Sequence, residues 1–204
     1  MRVILGSTSP RRRAILGTLF PALQIMFPNV DETWEPGIRP EAFAEKVSID
    51  KCLSVADSIQ AAEEPILVVT ADTVVTIDDI VIGKPSDFDD AVKILRSLVG
   101  RTHRVITAIS IRTIYGDSSI KAKSLTSHET TAVTFRDLNH EDILRYLRLI
   151  EWRDKAGAYA FQESGSFIID TWEGSATNII GFPLRLFFSM LAEADLGHLL
   201  FAEG

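Results

Sequence analysis

The most strongly β-forming segment of the chain is Ile66-Leu67-Val68-Val69-Thr70-Ala71-Asp72-Thr73-Val74-Val75, because apolar and β-branched residues fill nearly all of it. Such a run is typical of a largely buried strand. We predict a strand over Pro65–Ile77, a turn at Asp78-Asp79 and a short returning strand at Ile80-Val81-Ile82. One charged side chain, Asp72, interrupts the run. A carboxylate in a buried strand is costly unless it is paired, protonated or bound to a cation.

Helical and strand patterns alternate on both sides of this run. The patterns predict further strands over Arg2–Gly6, Val105–Ile114, Thr130–Phe135 and Phe167–Trp172. They predict helices that start at Pro10, Pro40, Asp87, Asn139 and Pro183. The polar stretch Tyr115–Glu129 is predicted to be the long tip of a hairpin. Alternation without a clean boundary predicts one α/β domain over residues 1–204, with a mixed sheet, flanking helices and room for two lobes around a cleft.

Charge and composition narrow the classes of partner. The formal net charge is −7, from 28 acidic and 21 basic residues, and no long basic run is present. We therefore expect no nucleic-acid partner. The small basic cluster is expected to bind a compact anion instead. The single cysteine, Cys52, excludes an intrachain disulfide and fits a reducing compartment, so we expect a cytoplasmic protein. No apolar stretch approaches ~18 residues, so we expect no membrane span.

The basic cluster Ser9-Pro10-Arg11-Arg12-Arg13 follows the first predicted strand and a turn of small residues, Gly6-Ser7-Thr8-Ser9. Ser9 is a natural N-cap and Pro10 a natural first helical residue, which places three arginines in the first helical turn. Cations there oppose the helix dipole, at about 0.3–1 kcal/mol each, unless an anion binds among them. The pattern favours a phosphate site, and three solvated arginines remain the alternative.

Five further polar side chains are candidates for the same site. Asp72 is either a turn aspartate or a carboxylate at the carboxyl end of a strand, where open α/β sheets bind ligands. Lys84, in Gly83-Lys84-Pro85, is not part of a Walker A motif, and spacing alone favours a surface lysine. Lys51 falls near the apolar stripe of its helix, where the ammonium usually snorkels to solvent. Loop carboxylates such as Glu32 are usually solvated, and Gln162 is unremarkable by chemistry alone. Taken together, the cations suit phosphates and the carboxylates suit Mg²⁺ or Mn²⁺.

The order of these motifs resembles that of the Maf proteins, which are nucleoside triphosphate pyrophosphatases once described as septum-formation inhibitors. The resemblance extends from residue 4 to about residue 192, and no motif is out of order. It rests on seven matches: Leu5-Gly6-Ser7-Thr8-Ser9-Pro10-Arg11-Arg12, Asp31-Glu32 with Lys51, Ala71-Asp72-Thr73-Val74-Val75, Gly83-Lys84-Pro85, Gly100-Arg101-Thr102-His103-Arg104-Val105, Lys155-Ala156-Gly157-Ala158-Tyr159-Ala160-Phe161-Gln162 and Asn178-Ile179-Ile180-Gly181-Phe182-Pro183-Leu184.

The resemblance implies a fold, a reaction and a set of partners. The fold is an elongated mixed α/β structure with a central cleft, similar to inosine triphosphate pyrophosphatases. The reaction is metal-assisted hydrolysis of a nucleoside triphosphate to monophosphate and pyrophosphate, with Mg²⁺ or Mn²⁺. Thr73 and Gln162 look like the dTTP/UTP-type subgroup, which also allows modified pyrimidine nucleotides. A 7-methyl-GTP pyrophosphatase and a non-catalytic nucleotide-binding regulator of cell division are the alternatives. We also expect a homodimer.

The same resemblance implies residue roles. Asp72 is the catalytic carboxylate, as general base or metal ligand, and Glu32 shares the metal with it. The triphosphate is held by Ser7, Arg11, Lys51 and Lys84. Base choice falls to Arg12, Thr73 and Gln162. Three departures from the family pattern stand out. Gly6 replaces alanine, a change expected to matter little, and residues 115–129 are longer than usual. The helical lysine motif has an unusual form, Val47-Ser48-Ile49-Asp50-Lys51-Cys52.

Overall fold

The computed structural model describes residues 1–59, 64–116, 120 and 122–200. In that part of the chain, seven strands form one mixed sheet in the order β2-β1-β3-β5-β6-β7, with β4 paired to β3. β1 runs parallel to β2 and β3, and the other pairs are antiparallel. The strands are β1 (Arg2–Gly6), β2 (Gln24–Met26), β3 (Ile66–Ile77), β4 (Ile80–Ile82), β5 (Thr102–Ile114), β6 (Ser124–Phe135) and β7 (Ile169–Glu173).

The helices lie on both sides of this sheet, so the predicted mixed α/β class is confirmed. Ser9 caps the first helix through the Arg12 amide, as predicted, and Asn139 caps the fourth through the Asp142 amide. The six α-helices of the described residues are α1 (Pro10–Leu19), α2 (Pro40–Asp57), α3 (Phe88–Leu98), α4 (His140–Leu149), α5 (Ala176–Ile180) and α6 (Leu184–Glu193).

Alternation along β3 decides which helix each side chain meets. Odd-numbered residues such as Leu67 and Val69 pack with α1 and α6, and even-numbered residues such as Val68 and Val74 pack with α2. Side chains of successive strand residues point to opposite faces, so Asp72 faces α2 while its neighbour faces α1. β1 ends at Gly6, opposite Thr70 of β3, and β4 pairs with the same edge of β3 only from Val75 on. Between them, no described strand covers this edge at residues 71–74.

Some boundaries differ from the predictions. β6 begins at Ser124, so residues 124–129 are strand and the predicted hairpin tip over Tyr115–Glu129 is too long. The prediction was wrong here because residues 124–129 are mostly polar, and neither face of this part of β6 is fully buried. Residues 117–119 and 121 of that tip lie outside the described residues. β7 begins two residues later than predicted, and Pro183 precedes α6 as its N-cap.

The structure also revises the expectation for Gly6. A Cβ at this position would lie 2.6 Å from Thr70 Cγ2 and 2.8 Å from Val55 Cγ2. Side chains from β3 and α2 therefore occupy the space that the methyl group of an alanine would need. Glycine at this position is required by the packing and is not a neutral replacement. Among the helices that the structure describes, none is long and apolar enough to cross a membrane.

Candidate functional site

A cavity of about 370 Å³ opens beside the uncovered part of β3. Its walls come from the β1–α1 turn, α2, the middle of β3, the loop after β4, residues 154–162 and the end of α5. Because β1 stops early, side chains from both faces of β3 reach the same space. All nine residues singled out in the sequence line it: Ser7, Arg11, Arg12, Glu32, Lys51, Asp72, Thr73, Lys84 and Gln162.

The three arginines of α1 have three different environments. Arg12 is buried and its guanidinium donates to Gly181 O at 2.9 Å, Thr73 Oγ1 at 2.8 Å and Ser7 Oγ at 3.3 Å. Arg11 is half-buried at the cavity wall and pairs with Asp154 at 3.0 Å. Arg13 is exposed, so the solvated alternative holds for it alone. Burial lowers the pKa of Arg12, while the nearby Asp72 carboxylate acts in the opposite direction.

Lys51 links the two candidate metal carboxylates. Its ammonium lies 2.7 Å from Asp72 Oδ1 and 3.0 Å from Glu32 Oε1. Lys51 and Asp72 are only 5% and 6% exposed, whereas the Glu32 side chain is 49% exposed at the rim. The expectation that Lys51 snorkels to solvent is therefore wrong, because a buried carboxylate supplies its counter-charge. The turn alternative for Asp72 is also wrong, since the residue lies inside β3.

Glu32 is held ionised by the cations around it. Burial works to raise the pKa of Glu32, but Lys51, Lys84 and Arg12 together outweigh it and lower that pKa below its usual 4.5. Lys84 lines the same cavity from the loop after β4. Gly83 O accepts a hydrogen bond from the Gly157 amide at 3.2 Å, which ties the Lys84 loop to the segment after α4.

A hydrogen-bonded group surrounds Thr73 on the other face of β3. Its hydroxyl lies 2.9 Å from Thr107 Oγ1 of β5, and Thr107 also reaches Asn178 O at 3.1 Å. Gly181, whose φ is +107°, ends α5 and turns its carbonyl to Arg12. A Cβ on Gly181 would lie 3.2 Å from Thr73 Oγ1, so the glycine allows both the turn and the close approach.

Sequence reasoning missed two charged residues of the cavity. Asp154 pairs with Arg11 at 3.0 Å and with Lys155 at 2.6 Å, and Lys155 also donates to the Glu151 carbonyl. Lys155 belongs to one of the seven matched motifs, but its pairing with Asp154 depends on the path of the chain after α4. Gln162 lies exposed at the rim, next to Phe161.

The arrangement suits an extended polyanion with a planar group at one end. Cationic side chains from α1, α2 and the loop after β4 line one space, and carboxylates stand among them. Charge-assisted hydrogen bonds of this kind hold phosphates strongly and with defined geometry. The wall of residues 159–162 and 179–181 is more apolar and contains hydrogen-bonding groups. Fold and site therefore define an α/β protein with a cavity for a phosphorylated ligand.

The family follows from sequence comparison. The family model described as "Maf-like protein" matches residues 2–194, and the chain belongs to this family. A "dTTP/UTP pyrophosphatase" of Thermoanaerobacter sp. (strain X514) is 37% identical over 191 residues, covering 94% of this chain and 95% of that protein. The protein of the same name from Aquifex aeolicus is 37% identical over 196 residues, covering 96% and 97%.

A solved structure supports the fold. The Ham1 protein of Staphylococcus aureus superposes with a TM-score of 0.50 at 13% identity, covering 95% of this chain and all of that one. This likeness concerns the fold alone.

Proposed function

We propose that this protein hydrolyses dTTP and UTP between the α and β phosphates, releasing the monophosphate and pyrophosphate. The observation that carries the proposal is the meeting of Arg11, Lys51 and Lys84 with the carboxylates of Asp72 and Glu32 in one cavity. The names of the relatives, at 37% identity over most of each chain, support the same reaction.

The cations bind and orient the triphosphate. Arg11 of α1 and Lys84 of the loop after β4 both line the cavity, and Ser7 presents a hydroxyl at the turn before α1. Each charge-assisted contact contributes roughly 1.5–3 kcal/mol. A few such contacts therefore bind the triphosphate in competition with water. Asp154 is already paired with Arg11, and this ion pair holds the guanidinium at the cavity wall.

Asp72 receives the proton of the attacking water. The water oxygen forms a bond to the α phosphorus, the bond to the bridging oxygen breaks, and pyrophosphate leaves with that oxygen. Lys51 occupies Oδ1 of Asp72. Among the residues that the structure describes, no side chain donates to Oδ2 of this carboxylate, which leaves that oxygen for water or a cation.

The two carboxylates fit a divalent cation that arrives with the substrate. The described part of the chain holds no cluster of three or more His, Cys, Asp or Glu side chains, so a metal cage made by protein alone is not formed there. Mg²⁺ is usually held by one or two carboxylates together with substrate phosphates, and Asp72 and Glu32 match that donor set. When bound, Mg²⁺ or Mn²⁺ polarises a phosphoryl oxygen and acidifies water.

Base recognition falls to the other face of β3 and the rim. Thr73 and Gln162 offer hydrogen-bonding groups to a base, and Arg12 holds Thr73 in place. A base that leaves these groups unpaired loses affinity. The names of the relatives support a pyrimidine base, so we expect pyrimidine triphosphates, including modified ones, to be preferred over 7-methyl-GTP.

Pyrophosphate release tests the proposal over a panel of dTTP, UTP, dATP and 7-methyl-GTP, with Mg²⁺, Mn²⁺ or chelator. We expect multiple turnovers with dTTP and UTP in the presence of metal and loss of turnover with chelator. A preference for 7-methyl-GTP would overturn the base assignment. Tight nucleotide binding without turnover would instead identify a regulator.

Four predictions from the sequence stay predictions: one domain over residues 1–204, the homodimer, the cytoplasmic location and the absence of a nucleic-acid partner. Analytical ultracentrifugation of the full chain tests the homodimer directly. A monomer at micromolar concentration would contradict it.

A further inference from the structure

The hydroxyl of Thr73 stands on the cavity wall with three polar neighbours. Arg12 Nη2 lies at 2.8 Å, Thr107 Oγ1 at 2.9 Å and Gly181 O at 3.5 Å from its oxygen. A hydroxyl has one proton and two lone pairs to share among its partners. The direction of each hydrogen bond therefore decides what the hydroxyl can offer to a ligand.

Arg12 fixes the first of these directions. A guanidinium has donors only and is always charged, so Arg12 must donate to Thr73 Oγ1. This bond takes one lone pair of the hydroxyl. Arg12 cannot swing away easily, because its Nε donates to Gly181 O at 2.9 Å and the side chain is buried.

Thr107 fixes the second direction. Its side chain is completely buried in β5, and its hydroxyl reaches Asn178 O at 3.1 Å, so its own proton goes to that carbonyl. Thr107 Oγ1 then accepts the proton of Thr73 at 2.9 Å. In the reverse arrangement Thr73 Oγ1 would accept from both Arg12 and Thr107 and keep no lone pair for a ligand, and its proton would have only Gly181 O, 3.5 Å away, as a protein partner. The bond from Thr107 to Asn178 O favours the first arrangement, in which the Thr73 proton stays inside the protein and one lone pair faces the cavity.

We propose that Thr107 is a positioning residue for specificity, which keeps Thr73 as an acceptor toward the base and never a donor. The proposal rests on the proposed function, because it assumes a pyrimidine triphosphate in the cavity. The N3–H group of uracil or thymine matches an acceptor. Cytosine carries a lone pair at N3, so two acceptors would face each other and one would lose its hydrogen bond to water.

Thr107→Val tests this assignment, because valine keeps the shape of the side chain and removes its hydroxyl. The proton of Thr73 then has no partner on β5 and is free to point at the ligand. We expect the ratio of kcat/KM for UTP over CTP to fall at least ~5-fold, as the removal of one neutral hydrogen bond allows. The change should appear in KM for both nucleotides, with kcat for UTP within ~2-fold of wild type.

Thr107→Ser is the matched control, because it retains the hydroxyl and should retain the wild-type ratio. An unchanged ratio in folded Thr107→Val, or an equal change in Thr107→Ser, would overturn the proposal. Thermal unfolding establishes that each variant is folded, and Thr107→Ala carries the same test should the valine variant unfold. A wild-type protein that releases pyrophosphate from neither UTP nor CTP would contradict the proposed function instead.

Discussion

Lys51 Nζ lies 2.7 Å from Asp72 Oδ1, and both side chains are almost completely buried. An ion pair withdrawn from water gains little stability over an apolar pair, because desolvation offsets much of the attraction. The pair is better explained by function, since Lys51 brings a positive charge to the carboxylate of Asp72 inside the cavity proposed to bind a polyanion. Glu32 Oε1 lies 3.0 Å from the same ammonium. Glu32 is therefore a second counter-ion of Lys51 and extends the ion pair to the rim of the cavity.

Asp72→Asn should leave the fold intact and reduce turnover at least ~100-fold, as expected for the loss of a general base. Asparagine keeps the shape of the side chain, and Lys51 keeps Glu32 as its counter-ion. Steady-state pyrophosphate release and thermal unfolding measure the two effects. Asp79→Asn, an exposed carboxylate outside the cavity, is the control and should behave as wild type. Near-normal turnover in a folded Asp72→Asn protein would refute the assignment.

Lys84→Ala should raise KM for the triphosphate by roughly 10-fold or more, the loss expected for one charged hydrogen bond. The residue is exposed, and it pairs with no carboxylate in the described part of the chain, so stability should change little. The nucleotide dependence of pyrophosphate release gives KM. Lys93→Ala removes an exposed lysine of α3 that lies outside the cavity and serves as the control. An equal rise in KM for both variants would point to net charge rather than to a contact.

The sequence predicted the sheet, most helices and the residues that line the cavity, because these depend on local patterns and ordered motifs. It did not predict Gln24–Met26 or Ala176–Ile180, which are too short to show a period. The environment of Lys51 was also out of reach. A lysine near an apolar stripe normally extends its ammonium to water. Lys51 remains buried because Asp72, on the strand opposite it, pairs with its charge.

Asp154 shows a second limit of sequence reasoning. It meets Arg11 across 143 residues of chain, and neither spacing nor composition relates the two. The three arginines of α1 are adjacent in sequence but have three different environments. Gly181, at the end of α5, contacts Arg12, and Asp154, in the segment after α4, contacts Arg11. Local chemistry identifies the charged groups, and tertiary packing assigns their partners.

Gly6→Ala should destabilise the protein by roughly 1–3 kcal/mol through overpacking. The new Cβ would meet Thr70 Cγ2 at 2.6 Å, and Thr70 cannot rotate freely because its hydroxyl donates to the buried Ser48 carbonyl. Thr70→Ser removes the methyl group and keeps that hydrogen bond. We therefore expect the double variant to lose less stability than the sum of the single variants, as measured by urea unfolding. Purely additive losses would show that the strand shifts instead.

His103 should make stability depend on pH. Burial lowers the pKa of His103 from 6.5 to about 4, and its Nε2 lies 3.0 Å from the hydroxyl of the buried Tyr159. The unfolded chain binds this proton between those two values and the folded protein does not. The stabilising contribution is therefore complete above the unfolded pKa and is lost as pH falls from 6.5 toward 4. Its total is about 3 kcal/mol, at about 1.4 kcal/mol per pKa unit.

Urea unfolding at pH values between about 7.5 and 4.5 measures this loss. His103→Gln keeps a hydrogen-bonding group for Tyr159 and does not titrate, so other groups contribute equally in the variant and in wild type. We expect the free energy of unfolding to fall less steeply with decreasing pH in His103→Gln. Parallel pH profiles for the two proteins would mean that His103 is protonated in the folded state as easily as in the unfolded chain.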